Sequence, residues 1–399
     1  MRNKCPICET QKNKKINKIE IRPFEDSPFD NFIDIVSCPT CDFGFTKNIF
    51  FNEKDLEIYY SNLSKYSDKN NSTGGGQNLN DSIRLKETAS FLNNFLDDKT
   101  ANILDIGCSN GGLLLELKKL GFKNLLGVDP SLECVENTIN TGINARQGKV
   151  RSIEKILNND KFDLIIFSHV YEHLLNPKET TINLEKILNN NGKVYIECPD
   201  ADSYFKKIHS PFQEFNTEHI NHFSVSSLKN LFLNKGYDEL QTGVKTLKID
   251  SGDYYACFGI FEKRNSSNTE VFNVNGNTYK SLSEYNNISK IQLKNIHSQI
   301  NKNINPSFPL AFYGTGQFCM KLLALSYNLP IEYLFDGSYI NWERKINNIT
   351  VLSPESIKNH NKLNLVITSI ISSDKIENRI LETIKESTNI NIIKISDYE

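Results

Sequence analysis

The chain has 399 residues, more than one core of ordinary size at about 100–200 residues per domain, so two or three domains are expected. Apolar residues make up 38%, charged residues 24%, and the formal net charge is −2, which argues against disorder, membrane embedding or a surface built for nucleic acid and favours small-molecule work. The opening MRNKCPICETQKNKK has no apolar stretch of the signal-peptide kind, and no later run approaches the roughly 18 apolar residues of a membrane span, so a cytoplasmic protein without a membrane partner is expected.

Four of the nine cysteines stand as Cys5-Pro-Ile-Cys8 and Cys38-Pro-Thr-Cys41, while Cys108, Cys134, Cys198, Cys257 and Cys319 are scattered singly, which is no disulfide framework. A two-residue spacer lets both thiolates of a knuckle bind one tetrahedral ion, and four thiolates close the coordination sphere. Residues 1–50 therefore read as a zinc ribbon whose Zn2+, held by Cys5, Cys8, Cys38 and Cys41, is structural. From 51 to about 98 the pattern is helical. It is broken by Ser67–Gly76, whose three glycines predict a loop able to close over a site.

Short β-runs then alternate with helical segments: NILDIGC, GGLLLELKKLG, NLLGVDP, LECVENTINTG, FDLIIFSHV, a helix through LEKILNNNG, and KVYIECP. Such alternation predicts a parallel sheet with helices on both faces. Asp105-Ile-Gly107-Cys-Ser-Asn-Gly111-Gly112 joins the first strand to the first helix, where glycines let the backbone turn sharply and approach a ligand. Asp129 ends the next strand, where a carboxylate can accept both hydroxyls of a ribose. After Pro199 come a helical insertion carrying QEFNTEHINHFSVSSLKNLFLNKGY and two strand candidates, VKTLKID and YYACFGIFEK.

DxGxxxG followed by an acid at the end of the next strand resembles motifs I and II of the class I S-adenosylmethionine methyltransferases, and the resemblance runs through residues 101–200. It implies a central Rossmann-like α/β sheet of seven strands that binds S-adenosylmethionine. By it, Asp105, Gly107 and Gly111 belong to the cofactor site, with both glycines near the methionine part. Asp129 holds the ribose, and His169, at the end of the fourth strand, faces the active site as a candidate for both cofactor binding and catalysis.

The histidines admit other roles. His169 and His173 lie in a strand-to-helix turn, where imidazoles also cap helices or satisfy buried backbone groups. Glu172 reads as a first-turn acid complementing a helix dipole. In Glu218-His219-Ile-Asn-His222-Phe-Ser224, a glutamate beside a histidine offers a general base with a charge partner. Substrate binding competes with catalysis there, as does a structural reading in which Ser224 caps the helix SVSSLKNLF above packed histidines.

Residues 265–303 read as a linker and helix. The last part, 304–399, restarts the alternation with LAFYGTG, FCMKLLALSY, IEYLFDG, ITVLSP, LNLVITS and a final helix and strand, a second and smaller Rossmann-like domain. Gly314 and Gly316 in its first turn and Asp336 after its second strand suit either a second nucleotide site or tight packing. A zinc module, a methyltransferase core over 51–264 and this C-terminal domain together resemble the sugar C-methyltransferases acting on nucleotide-linked 4-keto deoxysugars. That resemblance implies that Glu218 and His219 form the base, that Tyr66 in YYSNLSKYS lies near the transferred methyl, and that the C-terminal domain helps bind a nucleotide-sugar. O- or N-methylation of a surface-polysaccharide or natural-product precursor stays open, because Asn and Thr stand before Glu218 where that family has Tyr-His. A zinc-ribbon protein that modifies nucleic acid is a further alternative. The near-neutral charge and the absence of aromatics in Lys12–Lys18 speak against it, so no nucleic-acid partner is expected.

Overall fold

A computed structural model describes residues 2–48, 59, 75–76, 78–249, 252–264, 271–274, 277–326, 329–370, 372–384 and 389–398. Tyr66 and most of Ser67–Gly76 lie outside these residues.

Strands β1 (Lys14–Glu20), β2 (Phe32–Cys38) and β3 (Phe43–Thr46) run antiparallel. The fourth strand of that sheet comes from far downstream: β9 (Asn221–His222) pairs antiparallel with β3, setting Gly44 against His222 and Phe45 against Asn221. Glycine at 44 leaves room for this close approach, since a Cβ there would lie 2.6 Å from Leu282 Cδ1 and 3.0 Å from His222 Cβ. The segment holding Glu218 and His219 is thereby tied to the edge of the N-terminal sheet.

The central sheet has seven strands in the order β10-β11-β8-β7-β4-β5-β6. Its parallel part is β4 (Asn102–Ile106), β5 (Asn124–Asp129), β6 (Asn144–Gln147), β7 (Phe162–Ser168) and β8 (Leu188–Pro199). β11 (Gly252–Lys263) pairs antiparallel with β8, and β10 (Tyr237–Ile249) pairs antiparallel with β11 at the sheet edge, so β11 alone runs against the other six. Central strands covered on both faces need apolar side chains throughout, and Ile103, Leu104, Ile165, Ile166, Val194 and Ile196 are all fully buried. The chain leaves β4 for β5 and β6 on one side and returns to β7 on the other. This reversal opens a crevice beyond the carboxyl ends of β4, β5 and β7, where open α/β sheets take their ligands.

Helices α1 (Leu79–Asn93), α2 (Gly112–Lys119) and α3 (Leu132–Asn140) precede or connect the first strands, and α2 buries Leu113, Leu114 and Leu117. The expected helix through LEKILNNNG is not formed. A short helix, Pro177–Asn183, and a 3-10 turn end at Lys186, and β8 begins at Leu188. Pairing passes from Phe162–Leu188 to Leu164–Lys193, so Asn189–Gly192 is a bulge with Asn191 at φ 58°. Asparagine tolerates that left-handed conformation, and three in succession offer no apolar helical face. In the insertion, the helix is confined to α4 (Val225–Leu233). Ser224 caps it by accepting from Ser227 N–H, and the Ser227 hydroxyl accepts in turn from Ser224 N–H.

After α5 (Asn277–Asn303), a six-stranded sheet takes the order β14-β15-β13-β12-β16-β17. It comprises β12 (Leu310–Tyr313), β13 (Ile331–Phe335), β14 (Lys345–Ile346), β15 (Ile349–Leu352), β16 (Lys362–Ile367) and β17 (Asn389–Lys394), parallel except for the β14–β15 pair. Helix α6 (Gln317–Leu325) follows β12. Among the described residues, no helix is long and apolar enough to cross a membrane.

Candidate active site

A cavity of about 650 Å³ opens at the crevice of the central sheet. Its lining includes Asp105, Gly107 and Asp129 at one end and His169, Glu172, His173 and His219 at the other. One space thus joins the two groups of residues that the sequence singles out.

At the first end the turn after β4 is built for close approach. Gly107 has φ +79°, and a Cβ there would lie 2.5 Å from Val170 Cγ2. Gly111, at φ +73°, begins α2 and fits against Thr138, whose Cγ2 would be 2.7 Å from a Cβ. Both the left-handed φ and this packing call for glycine. Asp129 is buried; its Oδ2 accepts from Ser109 N–H at 2.9 Å and its Oδ1 from Ser131 N–H at 2.9 Å. Burial lifts its pKa to about 6, while the two N–H donors pull the other way. Asp105 behind it is pushed up to about 7, first by burial and then by the charge of Asp129, with Arg84 opposing. Gly107 and Asp129 line this end of the cavity, and Gly111 does not; the opening fits a polar, hydroxyl-bearing ligand such as the adenosine and amino-acid parts of S-adenosylmethionine.

At the second end, His169 follows β7 at φ 58°. Its Nε2 is 3.1 Å from Glu197 Oε1 and its Nδ1 3.3 Å from Glu172 Oε1. Burial disfavours the charged ring, but the two carboxylates overcome it and raise the pKa to about 9. The two carboxylates thus favour the protonated ring of His169. Glu172 lies in a single 3-10 turn, Tyr171–His173, and is 1% exposed. It does not serve a helix dipole, as its position suggested. It is the counter-charge of His169, and the nearby histidines hold its pKa at about 2 against the effect of burial.

The expected Glu218–His219 pair is not formed. Tyr59 Oη donates to the Glu218 carboxylate, and the carbonyl of Glu218 meets His173 Nδ1 at 3.0 Å. His219 Nδ1 instead lies 3.2 Å from Glu214 Oε2. Neighbours in sequence diverge here because Asn216 Oδ1 accepts the backbone N–H of both Glu218 (2.8 Å) and His219 (2.7 Å), a tight turn that sends the two side chains apart. Burial lowers the His219 pKa, but Glu214, joined by the charges of Glu172 and Glu218, outweighs it and the net shift is upward. His173 stays low through burial, and its ring packs edge-on to His219 with centroids 5.0 Å apart. The side-chain ligand atoms of Glu172, His173 and His219 all lie within 4.8 Å of one another.

Sequence reasoning missed Glu197, Lys245, Arg84 and Glu214. Glu197 is fully buried in β8, where Tyr195 Oη donates to it at 2.6 Å and Lys245 Nζ pairs with it. Burial works against its ionisation, but Lys245 and His169 hold its pKa well below the carboxylate range. A lone acid inside the apolar run KVYIECP was the available signal, since an acid in a central strand needs a cation. Glu214 had no such signal, because its partner is fixed by a turn.

In the N-terminal sheet, Cys5 Sγ is 3.4 Å from Cys41 Sγ and Cys8 Sγ is 3.5 Å from Cys38 Sγ, and all four sulfurs lie within 4.8 Å. Four thiolates around zinc at about 2.3 Å stand roughly 3.8 Å apart, so the cluster fits a tetrahedral zinc-ribbon site. In the six-stranded sheet, Asp336 repeats the geometry of Asp129, accepting from Thr315 N–H (2.7 Å) and Ser338 N–H (2.8 Å). Thr315 Oγ1 also donates to it at 2.5 Å. Two of these donors come from Thr315 in the turn after β12 and one from Ser338 in the turn of Asp336 itself, so the carboxylate already ties the two turns together, which favours the packing role.

A family model described as a methyltransferase domain matches residues 81–242. The chain is 28% identical over 109 residues to the mitochondrial ubiquinone biosynthesis O-methyltransferase of Dictyostelium discoideum, covering 24% of this chain and 34% of that protein. It is also 28% identical over 118 residues to the tRNA U34 carboxymethyltransferase of Campylobacter hominis, covering 28% of this chain and 41% of that one. It thus spans well under two thirds of the length of these curated relatives. Among solved structures, an S-adenosylmethionine-dependent methyltransferase from Mesorhizobium loti aligns at 14% identity and a TM-score of 0.36, over 45% of this chain and 100% of that one. Residues 81–242, which carry the glycine turn, the acid ending β5 and much of the cavity wall, thus match a methyltransferase domain.

Proposed function

We propose that this protein transfers a methyl group from S-adenosylmethionine to a small molecule, a nucleotide-linked keto-deoxysugar, with carbon as the acceptor atom. The observation that carries this reading is the cavity that joins Gly107 and Asp129 to the ring of His219. When bound, S-adenosylmethionine supplies an electrophilic methyl on a sulfonium. Asp129 accepts the ribose hydroxyls, and Gly107 admits the methionine part close to the backbone. His219 takes the proton from the carbon next to the keto group, leaving an enolate; the same group would serve a hydroxyl acceptor. His169, set between Glu172 and Glu197, holds both carboxylates in place. The reading assigns a structural zinc ion to Cys5, Cys8, Cys38 and Cys41. It sets the nucleotide toward the six-stranded sheet, a placement supported by Gln317 Nε2 donating to Thr217 Oγ1 at 2.6 Å in the loop that carries His219.

Calorimetric titration with S-adenosylhomocysteine, followed by a screen of nucleotide-linked keto-sugars with product NMR, tests the reading. Binding together with a new C–CH3 signal is the expected result. A new O–CH3 signal would overturn carbon as the acceptor, and absence of binding would overturn the methyltransferase reading of the whole chain.

A further inference from the structure

As the proton acceptor of the proposed methyl transfer, His219 needs a neutral ring with its lone pair toward the substrate. We infer, resting on that proposed function, that Glu214 is the positioning residue for His219: it fixes the Nδ1–H tautomer and leaves Nε2 as the proton-accepting atom in the cavity.

Glu214 Oε2 lies 3.2 Å from Nδ1, so the ring donates there, and a ring that donates through one nitrogen accepts through the other. The carboxylate is 6% exposed and belongs to no part of the cavity wall, whereas His219 does, so Glu214 acts only through the imidazole. Glu214 is itself held on two sides: Tyr254 Oη donates to Oε2 at 3.4 Å, and Glu214 N–H donates to Tyr285 Oη at 2.9 Å. The backbone of His219 is fixed separately through Asn216 Oδ1. A buried acid behind an imidazole orients the ring and raises its basicity, as a second-sphere carboxylate does for other functional histidines.

The neighbouring charges come from several elements. Glu172 and His173 face His219 from the turn after β7, Glu218 and His222 from its own segment, and Tyr254 from β11. Lys321 of α6 is buried, and its Nζ has no hydrogen-bond partner among the described residues. Burial lowers its pKa to about 7, while the charge of Glu214 raises it. Of the groups around the His219 ring, only Glu214 has a carboxylate oxygen within hydrogen-bonding reach of it among the described residues.

The test is 15N NMR of the full chain with labelled histidine, with His219 assigned by its loss in His219→Gln. The expected wild-type result is an Nδ1–H tautomer and a titration midpoint above the usual value of about 6.5. Glu214→Gln is expected to lower the midpoint by about one unit, roughly a tenfold change in proton affinity, and to mix the tautomers. Glu214→Asp should restore part of the shift, and Glu218→Gln should leave it in place. An unchanged His219 signal in Glu214→Gln, or an equal change in Glu218→Gln, would overturn the inference. Retained binding of S-adenosylhomocysteine shows that each variant is folded. If the wild type fails to bind it, the methyltransferase reading falls while the Glu214–His219 coupling is still measured.

Discussion

Asp129 and His169 are both buried ionisable groups, yet their surroundings send them opposite ways. Asp129 has two backbone donors and, among the described residues, no cation in contact, so its carboxylate is retained at the cost of a pKa near 6. Its ionised form is the one that accepts two hydroxyls, so binding of S-adenosylhomocysteine should be full above pH 6 and weaken as pH falls through it. Asp129→Asn should remove that pH dependence and cost about 1.5–3 kcal/mol, the worth of hydrogen bonds to a charged group. Calorimetry at pH 5, 6 and 8 measures both effects, and a pH-dependent variant would contradict the assignment. His169 has two acids in contact, and its pKa is raised from 6.5 to about 9. A raised histidine pKa means stability that is fully present below about 6.5 and lost as pH climbs through about 9, on the order of 3 kcal/mol. His169→Asn keeps a residue that tolerates positive φ. Denaturant titrations should show it less stable than wild type at pH 6, with the gap closing by pH 10.

The element that organises the site is the two-residue strand β9, whose weight comes from its side chains. Asn221 is fully buried, and its Nδ2 donates to Tyr171 O at 2.8 Å and Leu174 O at 2.7 Å while its Oδ1 accepts from Arg2 Nη1 at 2.8 Å. It therefore ties the turn after β7, the segment of His219 and the chain start to one point. Asn221→Ala would leave these groups unpaired in a dry place, and chemical unfolding should show a loss of about 3 kcal/mol or more. No sequence pattern announces such a strand, because two residues have no period. What could be read were elements with local signals: the apolar runs of β4, β5, β7 and β12, the glycine turns, the Ser224 cap and the paired knuckles. β6 escaped because Asn-Ala-Arg-Gln at a sheet edge buries too little to need an apolar pattern. Position was legible where a strand end fixes the residue, as for Gly107, Asp129 and His169, which all line the cavity. It was misread at Glu218, where adjacency in sequence suggested a pair that the Asn216 turn separates.

Across the whole molecule, the four-cysteine module and the candidate active site are one mechanical unit. Arg2 N–H donates to Lys47 O at 2.8 Å, and its guanidinium donates to Leu174 O (3.0 Å), Leu175 O (2.6 Å) and Ile220 O (3.2 Å). β3, which comes directly after Cys38 and Cys41, pairs with β9. If a metal ion closes the cysteine cluster, removing it frees β3, and β9 loses its partner. Two turns of the cavity wall, 171–175 and 219–222, then lose their anchor. Metal analysis should find one zinc per chain, reduced in Cys41→Ser. Chelation should raise amide exchange in residues 2–48 and in both distant turns, while β4 and β5, buried among their own neighbours, keep their protection. Exchange confined to residues 2–48 would mean that the ribbon is a separate module and that Arg2 and β9 hold the cavity wall without it. Exchange spreading to the turns would mean that metal occupancy sets the order of the acceptor end, so affinity for S-adenosylhomocysteine, which rests on β4 and β5, should fall far less than turnover.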